Sequence, residues 1–103
     1  AIGACASRHG YTLIRSLASH GGGKALHEAP EEVPTWPTRG DKRRMHDGLV
    51  LTVEPFLSRG GRWATSGTDD DWTLYSEPVA PVVQYEHTVV ATRRGAIVVT
   101  LPG

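Results

Sequence analysis

Val82-Val83-Gln84-Tyr85-Glu86-His87-Thr88-Val89-Val90-Ala91-Thr92 is followed by Arg93-Arg94-Gly95 and then by Ala96-Ile97-Val98-Val99-Thr100-Leu101. Two β-branched runs separated by a short turn ending in glycine have the spacing of a β-hairpin. Upstream, Leu49 to Glu54 (LVLTVE) reads as another strand, closed by Pro55. Alternation in it puts Leu49, Leu51 and Val53 on one face and Val50, Thr52 and Glu54 on the other. Along Val83–Val90, one face carries Val83, Tyr85, His87 and Val89, and the other Gln84, Glu86, Thr88 and Val90. These strands predict a mostly antiparallel sheet.

Working outward, Ile2, Cys5 and Ala6 have helical spacing over residues 1–9, and Gly10 stands where helices often end. Tyr11 to Ala18 (YTLIRSLA) reads as a strand burying Tyr11, Leu13, Ile14 and Leu17. Ser19-His20-Gly21-Gly22-Gly23 reads as a loop in which the backbone bends or approaches a neighbour closely. Ala29 to Asp47 looks like an exposed connection, and Ser58 to Asp71 like a long surface loop. The fold class is therefore α+β with little helix. One short helix covers a sheet poorly, so the sheet is expected to have a partner, either another half of the same protein or another chain.

The 103 residues make one small domain. Eleven Lys+Arg balance 11 Asp+Glu. That zero balance argues against binding nucleic acid or an anionic membrane through bulk charge. No apolar run approaches the ~20 residues that span a bilayer, and the opening AIGACASRHG lacks the sections of a secretory signal. Cys5 is the single cysteine, which excludes an internal disulfide and suits a reducing compartment. It reads as a small buried hydrophobe or an inert thiol. A chain that begins at Ala1 is expected to be processed or a piece of something longer.

Charge intrudes on the strand pattern at Glu54 and Glu86. Unpaired buried carboxylates are costly, so such residues are paired, metal-bound or solvated. Taken singly, each glutamate has a plain reading as a solvent-facing residue, and His20 as a turn histidine. His27-Glu28 reads as a polar loop patch, Trp36, Trp63 and Trp72 as core or rim aromatics, and Arg43-Arg44 and Arg93-Arg94 as solvated turns. Taken together, one histidine and two glutamates from separate strands can converge only in the folded sheet. Nitrogen and carboxylate donors suit Mn, Fe, Co or Zn, and a bridging carboxylate holds two ions ~3.5–4 Å apart in hydrolytic sites.

The order and wording of four blocks go further. Ser19-His20-Gly21-Gly22-Gly23-Lys24-Ala25-Leu26-His27-Glu28-Ala29-Pro30, Gly48-Leu49-Val50-Leu51-Thr52-Val53-Glu54-Pro55, Asp71-Trp72-Thr73 and Gln84-Tyr85-Glu86-His87-Thr88-Val89-Val90 resemble the C-terminal half of a type I methionine aminopeptidase, from about Ala1 to Leu101. The resemblance implies half of a pita-bread fold, with residues 1–103 as a C-terminal fragment of the catalytic domain. It implies cytoplasmic removal of the initiator methionine from nascent polypeptides at a site holding two divalent metal ions (Co, Mn, Fe or Zn). In it, His20 and Glu54 would ligate one metal and Glu86 would bridge both. Glu54 would be the candidate proton acceptor. His27 would hydrogen-bond the scissile carbonyl without ligating metal, and Trp72 and Leu26 would wall the methionine pocket. Gln84, on the Glu86 face, would help hold that carboxylate.

The chain departs from the family in several places. Ser19 replaces the leading glycine of the family's Gly-His-Gly-Ile-Gly block, Gly22 replaces its isoleucine, Asp47-Gly48 replaces Pro-Gly, and Asp69-Asp70-Asp71 replaces a glycine context. Two aspartate ligands and a substrate-contacting histidine precede the matching region in the family, and Ala1–Tyr11 contains no substitute. Asp69, Asp70 and Asp71 match no ligand position. The isolated chain is therefore expected to be inactive, with the missing N-terminal half or a second chain as partner besides nascent N-termini. The alternative is a non-catalytic remnant binding peptide or a partner chain.

Overall fold

The computed structural model describes residues 1–103. Helix α1 spans Ile2–Arg8 and buries Ala6. It ends as the sequence predicts. Gly10 adopts φ 76°, while its N–H reaches the Ser7 carbonyl at 3.1 Å and the Tyr11 N–H reaches Ala6 at 2.9 Å. That paired closure satisfies the last carbonyls and favours glycine at the left-handed position.

Ten strands follow, and four expectations need correction. The Tyr11–Ala18 strand contracts to β1, Thr12–Leu13. Beyond it the backbone changes partner, with the Ile14 N–H bonding Phe56 and the Arg15 N–H bonding Arg62. Leu13 and Ile14 are buried, but Tyr11 and Leu17 are only half-buried. The predicted loop at Ser19 begins with a fully buried strand, β2, Ser19–Gly21. Its glycine is required by a close approach, because a Cβ at Gly21 would collide with the Ala29 carbonyl. The exposed connection from Ala29 contains most of an edge strand, β3, Glu28–Val33. Pro30 is tolerated there because an edge leaves one side unpaired.

The remaining correction concerns Ser58–Asp71. Strand β4 is Val50–Val53 and β5 is Phe56–Ser58. Within the expected surface loop lies β6, Trp63–Ser66, paired antiparallel with β7, Leu74–Glu77. The partner lies beyond the polar turn, so the short Trp63-Ala64-Thr65 run carries no strand signal by itself.

The decisive hairpin forms, with one interruption. Strand β8 is Val82–Gln84, β9 is His87–Thr92 and β10 is Gly95–Val98. Five strands pair in the order β10-β9-β4-β2-β3, three in the order β1-β5-β8, and β6-β7 form a ribbon. Two long segments cross from the larger sheet to the smaller, β4 to β5 and β9 back to β8. Val53 faces His87 and Phe56 faces Gln84. Counting inward from either side places Glu54 opposite Glu86 and Pro55 opposite Tyr85. Proline has no N–H to give the ladder, so pairing stops where the two glutamates meet.

The core is small. Only 11 of 103 residues are buried, the apolar ones being Ala6, Leu13, Ile14 and Leu51. Val82, Val83, Ile97, Val99 and Leu101 are all exposed. No helix is long and apolar enough to cross a membrane.

Candidate metal centre

His20 comes from β2, Glu54 from the residue after β4, and Glu86 from the residue before β9. Their ligand atoms all lie within 4.8 Å of one another, with His20 buried, Glu54 half-buried and Glu86 exposed. Each position follows from the backbone. The β2–β4 pairing Gly21↔Leu51 sets His20 beside Thr52, and the shared register of β4 and β9 sets the carboxylates side by side.

Hydrogen bonds define what the cluster lacks. His20 Nδ1 is 2.8 Å from the Gly21 carbonyl. A carbonyl only accepts, so Nδ1 carries a hydrogen, which leaves Nε2 as the ring nitrogen that can offer a lone pair to a metal ion. Nε2 lies 3.3 Å from Glu54 Oε2. That oxygen is buried and makes no hydrogen bond. An imidazole nitrogen and a carboxylate oxygen with no hydrogen bond between them thus face each other, beside two carboxylates placed opposite in register. Like charges so placed destabilise a sheet. A cation between them gives that oxygen a partner and offsets the like charges, and one imidazole nitrogen with two carboxylates is a suitable donor set for a divalent ion. The carbonyl bonded to Nδ1 also supplies the partner that usually orients a ligating histidine.

Two hydroxyls frame the cluster. The Glu54 N–H donates to Ser19 Oγ at 3.0 Å. The His20 N–H donates to Thr52 Oγ1 at 3.1 Å, and that hydroxyl donates to the His20 carbonyl at 3.3 Å. Sequence reasoning noted Ser19 only as a departure and Thr52 only as a face neighbour of Glu54. That shared face was the available signal for Thr52.

The His27 ring stacks on His20 with centroids 4.0 Å apart and planes at 28°, and its side chain is exposed. Glu28 lies outside the cluster and accepts the Ala25 N–H at 2.8 Å. Gln84 shares the register face of Glu86, but its side chain makes no hydrogen bond to that carboxylate, so the expected support is absent. Leu26 and Trp72 are 78% and 91% exposed. Asp70 accepts from Trp72 and Thr73 within its own turn. Cys5 is exposed, not buried, with Sγ 3.9 Å from His9 Nδ1.

This fold and donor set belong to a class of metal-dependent peptidases. Residues 1–93 match metallopeptidase family M24, and the chain belongs to that family. It is similar to a methionine aminopeptidase of Staphylococcus epidermidis, 36% identical over 100 residues that make up 97% of this chain and 39% of the relative. A second relative, methionine aminopeptidase A of Synechocystis, is 33% identical over 101 residues, 98% of this chain and 39% of the relative. The crystal structure of the Rickettsia prowazekii methionine aminopeptidase matches with a TM-score of 0.85 at 27% identity, covering 96% of this chain and 40% of that one. That of the Thermotoga maritima enzyme matches at 0.86 and 30%, covering 98% and 40%. The fold is accordingly part of the pita-bread architecture. The chain spans about two-fifths of the length of these relatives.

Proposed function

We propose that this chain is the C-terminal half of the catalytic domain of a metal-dependent aminopeptidase that removes initiator methionine from nascent polypeptides. The observation that carries the proposal is the convergence of His20, Glu54 and Glu86, with a buried Glu54 oxygen inside it that makes no hydrogen bond. Family membership supports a divalent metal there. His20 Nε2, Glu54 and Glu86 would hold it, and Glu86 would also serve a second ion, for which aspartates from outside these residues would supply the further ligands. Co, Mn, Fe and Zn all suit the donors. Such ions supply Lewis acidity, lowering the pKa of water and polarising a carbonyl.

The remaining roles fall to the chain's own side chains. Glu54 is the base: its carboxylate lies in the cluster, and its backbone N–H is tied to Ser19. His27, stacked on His20 and open to solvent, donates from its ring to the scissile carbonyl as negative charge develops on it. Leu26 and Trp72 present apolar surface to the methionine side chain once the rest of the domain closes over them. Both are exposed here, which fits a pocket with walls in two halves.

A second reading, a non-catalytic remnant that binds a peptide or partner chain, is favoured by the exposed Val82, Val83, Ile97, Val99 and Leu101. Methionine release separates the two. The 103-residue chain with Mn²⁺ or Co²⁺ is expected to release none from a Met-Ala peptide, and a longer chain supplying the two aspartates is expected to release it. Release by the short chain contradicts the half-domain reading. A longer chain that stays inactive favours the remnant.

A further inference from the structure

We propose that Ser19 is a positioning residue for the metal centre, its hydroxyl fixing Glu54 relative to His20. The inference rests on the cation reading of His20, Glu54 and Glu86. Ser19 is 2% exposed. Glu54 sits where its ladder fails, since Val53 is the last paired residue before Pro55 and pairing resumes only at Phe56. Its N–H has no strand partner there and donates instead to Ser19 Oγ at 3.0 Å. The neighbouring contact is the mirror of this one, with the His20 N–H donating to the side chain of Thr52.

Two hydroxyls therefore cross-tie the two ligand-bearing backbones, each segment's side chain holding the other's main chain. Ladder bonds between β2 and β4 hold the same segments further along, the Gly22 N–H reaching the Val50 carbonyl at 3.0 Å, but none reaches Glu54. Gly21, Gly22 and Gly23 offer no side chain to lock the segment after His20. Ser19 precedes His20 directly, so the tie to Glu54 acts at the position where the separation of Nε2 and Oε2 is set. Alanine at 19 would leave the Glu54 N–H without its acceptor and let the carboxylate drift.

The test uses the intact chain with Mn²⁺ alone as the probe. Ser19→Ala is expected to speed amide hydrogen exchange at Glu54. Groups that orient ligands are worth roughly 10–100-fold in metal affinity, so Mn²⁺ should bind about tenfold more weakly or worse. Ser19→Thr keeps the hydroxyl and should restore both properties. If the extra methyl prevents folding, Thr52→Val supplies the second variant, with faster exchange at His20 and a comparable loss of Mn²⁺. Unchanged Mn²⁺ affinity in Ser19→Ala overturns the positioning role, whatever the exchange shows. Wild-type chain that binds no Mn²⁺ overturns the metal reading itself and this inference with it. Exchange at Glu54 reports the hydrogen bond without metal, so the two failures are distinguishable.

Discussion

At the scale of single residues, the cluster is defined by which of its atoms are already hydrogen-bonded. The Gly21 carbonyl takes the His20 Nδ1 hydrogen, and Nε2 lies 3.3 Å from a Glu54 Oε2 that makes no hydrogen bond. Glu86 completes the donor set, whereas Glu28 is occupied with the Ala25 N–H in its own loop. The two glutamates should therefore behave differently. Glu86→Ala is expected to weaken Mn²⁺ binding by more than about 1.4 kcal/mol, roughly tenfold, and Glu28→Ala to leave it nearly unchanged, as titration calorimetry would show. Equal losses would mean the centre is elsewhere. Glu54 and Glu86 were legible in the sequence because charge interrupts β-branched runs there, and His20 because its glycine-flanked block resembles the family's. The hydroxyl contacts of Ser19 and Thr52 were not, since they cross between segments 32 and 35 residues apart.

At the scale of elements, the β-branched runs revealed β4, β9 and β10, the last two also through the short turn that joins them. No such run marked β2 or β6. Strand β2 ends in glycine because Ala29 crowds it, so close pairing there looked like a loop. Strand β6 finds its partner only across the turn that Asp70 organises. The Thr73 hydroxyl, then the Thr73 and Trp72 amides, hold the Asp70 carboxyl below its ordinary value of 3.8. The folded value is the lower one, so the stability Asp70 lends this turn is complete above the unfolded value and is lost as pH falls through the folded one. An NMR titration of Asp70 should show a depressed midpoint that Thr73→Val moves back towards 3.8. A midpoint at the ordinary value in wild type would contradict the capped turn. The interruption between β8 and β9 was also hidden, because Tyr85 and Glu86 continue the alternation through a site where pairing stops.

At the scale of the whole molecule, the sheet is uncovered in the way its lone short helix led one to expect, with 11 of 103 residues buried. The proposed reading explains this exposure and the incomplete ligand set together, because both are met by chain that the relatives possess and these residues do not include. It also explains why the donors sit at the junction of the two sheets, where broken pairing leaves room for side chains to meet. Anomalous diffraction from crystals of the chain grown with Mn²⁺ tests the central claim most directly. The account expects a peak bonded to His20 Nε2, Glu54 and Glu86 together. Saturating Mn²⁺ with no peak there, or a peak bonded to other residues only, would contradict it.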